Sequence, residues 1–196
     1  MKPILFNTSM VQAILNGTKT QTRRPISEDQ RGEWVAVNDV RKNSEWDATV
    51  PCYLHREISV DDKSRNIMYP KYDVGDILYV RETWMASEHG YFIKNAIPYL
   101  IGKLKWRPSI HMPKEAARLF LKVTDVKVER LNDISNDDVS KEGFNEDVYF
   151  CPIEGFSEIW DNIYAKRGLE WNFNPWVWVI TFEKIEKPEV INNAEI

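Results

Sequence analysis

Hydrophobic residues recur at helical spacing in three parts of the chain. Residues 7–17 carry four apolar side chains on one face, follow residues that can cap a helix, and end at a glycine. Residues 135–143 begin with Ser135, and Asp138 follows at the spacing of a capping box. This segment also ends at a glycine. Residues 153–167 have apolar positions at i, i+3, i+4 and i+7. The pattern therefore predicts three helices, of which the middle one is very short.

Three further segments have the pattern of β-strands. The run from Ile77 to Val80 follows a Gly-Asp turn and is rich in β-branched and aromatic residues. Residues 119–130 alternate between apolar and polar, but the apolar parity changes halfway, which predicts a bulge near Asp125. Residues 175–185 are apolar on both faces, as expected for a buried strand.

Two long polar segments interrupt these elements. We expect residues 26–70 and 85–118 to be irregular insertions, the first with one or two short strands. The tail, residues 188–196, is acidic and is expected to be loosely ordered. Because strands and helices do not alternate regularly, the order predicts an α+β fold. We expect a single domain over residues 1–196, built as a small mixed β-barrel with peripheral helices.

The composition is typical of a soluble globular protein. The chain has 196 residues, of which 43% are hydrophobic and 29% charged, and a net charge of −4. No segment has the roughly 20 consecutive apolar residues of a membrane span, and the N-terminus lacks the apolar core of a signal peptide. We therefore expect a cytoplasmic protein without a membrane partner. The negative charge argues against extensive coating of nucleic acid, but it allows a local basic pocket for one base or nucleotide.

Neither a metal nor an organic cofactor is expected. Cys52 and Cys151 are too few for a disulfide framework or a zinc knuckle, and we interpret them as small buried hydrophobic residues. The sequence has no phosphate-binding glycine loop, no HExxH motif and no Cys/His set with metal spacing.

The most distinctive polar stretch is GTKTQTRR, residues 17–24, directly after the first predicted helix. It is either a solvated basic turn or a loop that lines a pocket. Lys19 and Thr22 are three residues apart, so either an extended or a turned backbone could bring them together.

This stretch, the strand VGDILYVRETW and the helix ISNDDVSKEGF together resemble the ASCH domain, a PUA-like β-barrel. The family signature is a Gly-x-Lys followed by an Arg, which matches Gly17, Lys19 and Arg24, with Arg23 as a competing register. The segments WRPSIHMP and VRETW look like the larger ASCH proteins of phages and prophages. The resemblance implies a PUA-like mixed β-barrel, and most PUA-like folds bind RNA or modified bases.

The resemblance also implies a catalytic set. One branch of ASCH proteins is an amidohydrolase that removes the acetyl group from N4-acetylcytidine with a Lys, a Thr and a Glu, which match Lys19, Thr22 and Glu142. A threonine hydroxyl needs a base, and a lysine can serve if burial or adjacent cations such as Arg23 and Arg24 lower its pKa. Glu142 could orient Lys19 or shuttle a proton, although its negative charge favours protonated lysine.

A second group of residues is predicted to bind the substrate. A His, an Arg and a Trp lie close together around two prolines in WRPSIHMP, which suits stacking on a base and pairing with a phosphate or carbonyl. Trp84 ends the strand that begins at Ile77 and is either a pocket wall or a core residue. The predicted substrate-binding residues are Arg23, Arg24, Trp84, Trp106, Arg107, Ser109 and His111.

Three functional hypotheses follow. The first is an amidohydrolase that acts on a modified nucleoside or a similar small acylated amine. The second is a non-catalytic PUA-like module of phage origin that binds a nucleoside, single-stranded RNA or a modified base. The third is a phage accessory protein that acts on a host protein. The sequence does not determine the oligomeric state.

Overall fold

Strands make up most of the regular structure in the computed structural model, which describes residues 1–26, 35–37, 53–57, 65–97, 105–144 and 151–188. Within these ranges the strands are β1 (Lys2–Leu5), β2 (Gln21–Pro25), β3 (Val35–Val37), β4 (Tyr53–Glu57), β5 (Arg65–Met68), β6 (Ile77–Arg81), β7 (Trp84–Ser87), β8 (Gly90–Ile93), β9 (Phe120–Arg130) and β10 (Trp176–Ile185). The α-helices are α1 (Thr8–Leu15), α2 (Asn136–Lys141) and α3 (Pro152–Tyr164).

A mixed five-stranded sheet in the order β1-β6-β9-β10-β2 forms the centre of the fold. Strands β1 and β6 are parallel, and the other neighbours are antiparallel. Strands β3 to β5 form a second sheet, and β7 and β8 form a hairpin. The predicted α+β class is confirmed. The predicted barrel is not confirmed, because no pairing between β1 and β2 closes the central sheet in the described part of the chain.

The three predicted helices are confirmed, with the caps that the sequence indicates. Asn7 Oδ1 accepts a backbone N–H of the first turn of α1 at 2.8 Å, and Ser135 Oγ accepts the N–H of Asp138 in α2 at 3.2 Å. Gly17 and Gly143 follow α1 and α2 with φ of +81°, the left-handed conformation that ends a helix. No helix in the ranges given above has the length and apolar character needed to cross a membrane.

The long strands β9 and β10 contain the predicted bulge. Thr181 pairs with Asp125, whereas Phe182 pairs with Val123, so one residue of β9 is left without a counterpart. This extra residue explains why the buried parity of β9 changes near Asp125.

The two faces of the central sheet are buried in different apolar clusters. Trp178 and Ile180 of β10 belong to the cluster under α1 and β1, whereas Val177 and Val179 pack against α3. Side chains alternate between the faces along a strand. Since β2 pairs with β10 in register, its odd and even positions are divided between the same two faces.

Several parts of the chain are more regular than predicted. Strand β1 was not expected, and β2 occupies the basic stretch that we interpreted as a turn or loop, because its ladder with β10 holds the backbone extended. The described residues of the 26–70 segment include three short strands, where we expected one or two, and the 85–118 segment contains a hairpin. Cys151 is only half-buried, whereas Cys52 and residues 189–196 of the tail lie outside the described residues.

Candidate functional site

The catalytic candidates lie at β2, an edge strand of the central sheet. The N–H of Phe182 donates to Thr20 O at 2.8 Å, and that of Ile26 donates to Trp176 O at 3.1 Å. In an antiparallel ladder these contacts turn the even-numbered backbone groups of β2 toward β10 and the odd-numbered ones toward the open edge. The N–H and C=O of Arg23 therefore point away from β10.

Lys19 and Glu142 form a buried ion pair beside this edge. Their side chains are 0% and 5% exposed, and Lys19 Nζ lies 2.7 Å from Glu142 Oε2. Lys19 Nζ also donates to the backbone carbonyls of Gln21, at 2.7 Å, and Glu142, at 2.9 Å. The three acceptors match the three N–H donors of an ammonium group. The end of α2 is thereby joined to the start of β2.

Arg23 extends the ion pair into a network of charges. Its Nη2 lies 2.7 Å from Glu129 Oε1 and 3.2 Å from Asp138 Oδ2. Its Nη1 lies 3.3 Å from Glu142 Oε1 and donates to Gln21 Oε1 at 2.8 Å. Protein acceptors thus hold the guanidinium of Arg23, which orients Glu142 rather than projecting freely toward a ligand.

Burial lowers the pKa of Lys19, and the positive charges of Arg24 and Arg23 act in the same direction. The nearby Glu142 carboxylate opposes this effect through its charge and its hydrogen bond. The side chain is therefore a buried lysine whose ammonium form is disfavoured relative to a lysine in water, with one carboxylate in contact to accept a proton.

Close packing around Gly143 sets the position of this pair. A Cβ atom at Gly143 would lie 2.7 Å from Ala13 Cβ and 2.8 Å from Lys19 Cβ, and neither atom is the end of a flexible side chain. The end of α2 can approach Lys19 only because residue 143 has no side chain. The sequence indicated Gly143 as a helix stop but gave no sign of this contact.

A cavity of about 340 Å³ opens at the β2 edge, between the β1–α1 junction and α3. Phe6 and α3 supply its apolar walls. Its polar lining includes Arg23 and four other predicted site residues. Those four residues are Thr22, Arg24, Ser109 and Glu142. Thr22 and Glu142 thus share one cavity, and Lys19, which is not in its lining, contacts Glu142. We call this space the catalytic-candidate cavity.

Phe6 is a site residue that the sequence analysis missed. Its ring centroid lies 5.6 Å from Lys19 Nζ and 5.1 Å from the guanidinium carbon of Arg24. Both distances are within the range of cation–π contacts. A phenylalanine just before a helix cap resembles an ordinary packing residue, so the sequence offers no signal for this role.

Four predicted substrate-binding residues lie away from the cavity. Trp84 is 4% exposed and packs in the core under the β7–β8 hairpin. Arg107 stacks on the Trp84 ring at 5.1 Å, and Trp106 lines a different pocket near α1. His111 is exposed at the end of the turn that carries Ser109. Of the WRPSIHMP segment, only Ser109 contributes to the cavity lining given above.

The described residues include no cluster of three or more His, Cys, Asp or Glu side chains that could hold a metal ion. Besides Arg23, the described polar lining includes two alcohols, a carboxylate, a cation, an amide and a phenol, which belong to Thr22, Ser109, Glu142, Arg24, Asn7 and Tyr164. Such a set suits acyl transfer or the binding of a polar ring.

The chain is similar to two solved structures at low sequence identity. Protein EF3133 from Enterococcus faecalis V583, of family DUF984, aligns with a TM-score of 0.46 and 11% identity over 95% of this chain and 77% of that one. An ASCH domain from Lactobacillus crispatus JV V101 aligns with a TM-score of 0.44 and 11% identity over 95% of this chain and 80% of that one. Both TM-scores are below 0.5, so neither likeness assigns a family or a function. No protein-family model and no curated protein matches the chain.

Proposed function

We propose that the chain is an amidohydrolase that cleaves the amide of a small acylated amine, such as the acetylated base of N4-acetylcytidine. The observation that carries the proposal is the buried contact between Lys19 and Glu142 at a cavity of about 340 Å³ whose lining includes both Glu142 and Thr22. A volume of this order is typical of small-molecule sites. The ring of Phe6 and the apolar face of α3 would hold the base.

In the proposed reaction Thr22 is the nucleophile. Lys19 acts in its neutral amine form, with Glu142 Oε2 2.7 Å from its Nζ. The amine then takes the proton of Thr22 Oγ as this oxygen forms a bond to the acyl carbon. The C–N bond breaks as Lys19 Nζ returns this proton to the leaving nitrogen, and water then hydrolyses the resulting threonine ester to acetate. The hydroxyl of Thr22 is regenerated in the last step.

The backbone N–H of Arg23 is the proposed donor to the oxyanion that forms on the acyl oxygen. It follows the nucleophile directly in sequence and points toward the open edge of β2. Arg24, which lines the same cavity, would add a positive charge nearby. A fixed donor of this kind is worth about 10²–10³ in rate.

The direct test is to incubate the purified protein with N4-acetylcytidine and to measure cytidine and acetate by chromatography. Thr22→Ala should lower turnover at least about a thousandfold, whereas Thr22→Ser should retain measurable activity because it keeps the hydroxyl. The matched control is Thr20→Ala, just before β2 and outside the cavity lining, which should leave turnover unchanged. Full activity of the Thr22→Ala variant would show that Thr22 is not the nucleophile.

The pH profile tests the base. The rate should rise with pH as Lys19 loses its proton, with a midpoint below 10.5 because the pKa of Lys19 is lowered. Glu142→Gln removes the group that raises the pKa of Lys19, so the midpoint of the residual activity should move to lower pH. A midpoint that does not respond to this change would assign the titration to another group.

A second candidate function, non-catalytic binding of a modified base, is favoured by one observation. All three donors of Lys19 Nζ already have protein acceptors, as in a purely structural lysine. In that case Arg24 and Phe6 would recognise the ring. Binding measured by calorimetry should then persist in Thr22→Ala, weaken in Arg24→Ala and occur without release of acetate.

A further inference from the structure

A second cavity, of about 530 Å³, adjoins the catalytic-candidate cavity. It lies where the edge strands β1 and β2 approach each other without pairing, and the segment that follows β5 covers one side. Leu5 and Arg24 line both cavities, and Arg24 Nη2 donates to Leu5 O across the gap. A ligand in the first cavity that extends past Arg24 therefore enters the second.

The second cavity is lined by three cations, Arg24, Lys71 and Arg81, and no acidic residue is among its described lining residues. Elsewhere in the protein Lys2, Arg23 and Arg118 each contact a carboxylate. Among the described residues, none of the three cations that line the cavity has a carboxylate partner, in a chain with a net charge of −4. Their charge creates a local attraction for anions.

The hydrogen bonds of these cations leave capacity for a ligand. Arg81 donates to Ile110 O at 2.9 Å and to Tyr79 Oη at 3.0 Å, which are neutral acceptors. Its Nε is buried and has no partner among the described residues. Lys71 Nζ lies 5.4 Å from the centroid of the Tyr72 ring. The charges of Arg81 and Lys71 are therefore not neutralised by a carboxylate among the described residues.

We propose that the second cavity binds the phosphate of a nucleoside monophosphate whose base occupies the catalytic-candidate cavity. This inference rests on the proposed function and narrows its substrate class from a nucleoside to a nucleotide. A phosphate offers several acceptor oxygens to the Arg81 and Arg24 guanidiniums and the Lys71 ammonium at once. All three cations line this one cavity, and a single concavity suits one terminal phosphate better than the backbone of a long strand.

The test compares the binding of cytidine, cytidine 5′-monophosphate and a cytidine dinucleotide by calorimetry, without turnover. The monophosphate should bind about tenfold or more tightly than cytidine, as expected for added charge-assisted hydrogen bonds. Lys71→Gln should reduce this advantage, and Lys71→Gln with Arg81→Gln should remove it. Lys122→Gln, at an exposed lysine outside both cavity linings, is the matched control and should change nothing.

Equal affinities of wild-type protein for cytidine and its monophosphate would overturn the inference, and so would an advantage that survives Lys71→Gln unchanged. If a dinucleotide binds at least as tightly as the monophosphate, the cavity recognises a phosphodiester rather than a terminal phosphate. That result would overturn the assignment to a nucleoside monophosphate. Because these ligands carry no acyl group, the result is independent of hydrolysis. If the protein binds the monophosphate in this way but does not hydrolyse N4-acetylcytidine, the phosphate site is retained and only the proposed activity is refuted.

Discussion

Two ion pairs among the described residues, Lys19 with Glu142 and Glu82 with Arg118, differ in chemistry and surroundings. Lys19 and Glu142 meet at 2.7 Å beside the catalytic-candidate cavity. Glu82 and Arg118 form a two-pronged contact in which both nitrogen–oxygen distances are 2.9 Å, and the Glu82 side chain is 1% exposed. One pair has a cation that can lose its proton, and the other has a guanidinium that stays charged.

The surroundings of the two ion pairs also differ. The Glu82 N–H donates to the Met112 sulfur, and Glu82 does not line any of the three cavities described above, although Arg118 lines the one near α1. Glu142 instead lines a cavity together with Thr22 and Ser109. Burial of an ion pair is therefore not evidence of catalysis. A titratable cation, and a carboxylate that shares a cavity lining with two hydroxyl groups, distinguish the candidate site from a structural contact.

Removal of the lysine is the strongest way to test this distinction. Lys19→Met leaves Glu142 buried without its closest partner, which should lower the free energy of unfolding by about 3 kcal/mol and abolish turnover. Arg23 remains 3.3 Å from Glu142 and still partly compensates its charge. The loss of unfolding free energy should therefore lie at the lower end of the range for a broken buried ion pair. Denaturant unfolding and the acetate assay give the two quantities.

A double variant separates the two roles of the pair. Lys19→Met with Glu142→Leu replaces both charges by apolar groups, which is often neutral or stabilising. The double variant should recover most of the stability while remaining inactive. Recovery of turnover together with stability would mean that the pair is structural, like Glu82 and Arg118.

Gly143→Ala should have the next largest effect, because it alters the position of Lys19 without removing any charge. The new Cβ would lie within 2.8 Å of two Cβ atoms, and φ of +81° is unfavourable for alanine. The expected loss is about 2–3 kcal/mol of unfolding free energy, together with reduced turnover. Gly75→Ala is a matched control with φ of +91° and no atom within 4 Å of its Cβ, so it carries the backbone strain alone. Equal effects of the two substitutions would refute the role of close packing at Gly143.

The contact around Gly143 also illustrates what the sequence could and could not predict. Helix caps, the periodicity of α3 and the parity change in β9 are local signals, and each was confirmed. Strand β2 was missed because its extended form depends on pairing with β10, more than 150 residues away. The convergence of Lys19, Thr22 and Glu142 was expected only from a resemblance, since spacing along the chain contains no information about distant contacts. Phe6, Glu129 and Gln21 have no local signal for their contacts with the site.

Glu82→Gln tests the other side of the comparison and should cost less. The glutamine keeps one acceptor for Arg118, whose side chain is 32% exposed and can be partly hydrated. The expected loss is about 1–2 kcal/mol of unfolding free energy, with turnover unchanged. A fall in kcat/KM without a matching loss of folded protein would show that the second pair is also coupled to the reaction.

The smallest expected effect concerns Asp138, at the outer limit of the charge network. Burial alone would raise the pKa of Asp138, but Arg23, Lys127 and Lys141 together outweigh it and lower the pKa below 3.8. A lowered native pKa means that the unfolded chain binds more protons, so the stabilisation is present above about pH 4 and is lost as the pH falls through the native pKa. Asp138→Asn should therefore cost under about 1 kcal/mol of unfolding free energy at pH 7, since the group is partly hydrated.

The measurement is the unfolding free energy of the wild type and the Asp138→Asn variant from pH 7 to pH 2.5, and the two values should converge toward low pH. A constant difference across this range would mean that Asp138 stabilises through packing, and its carboxylate would then not belong to the charge network that holds Arg23 and Glu142.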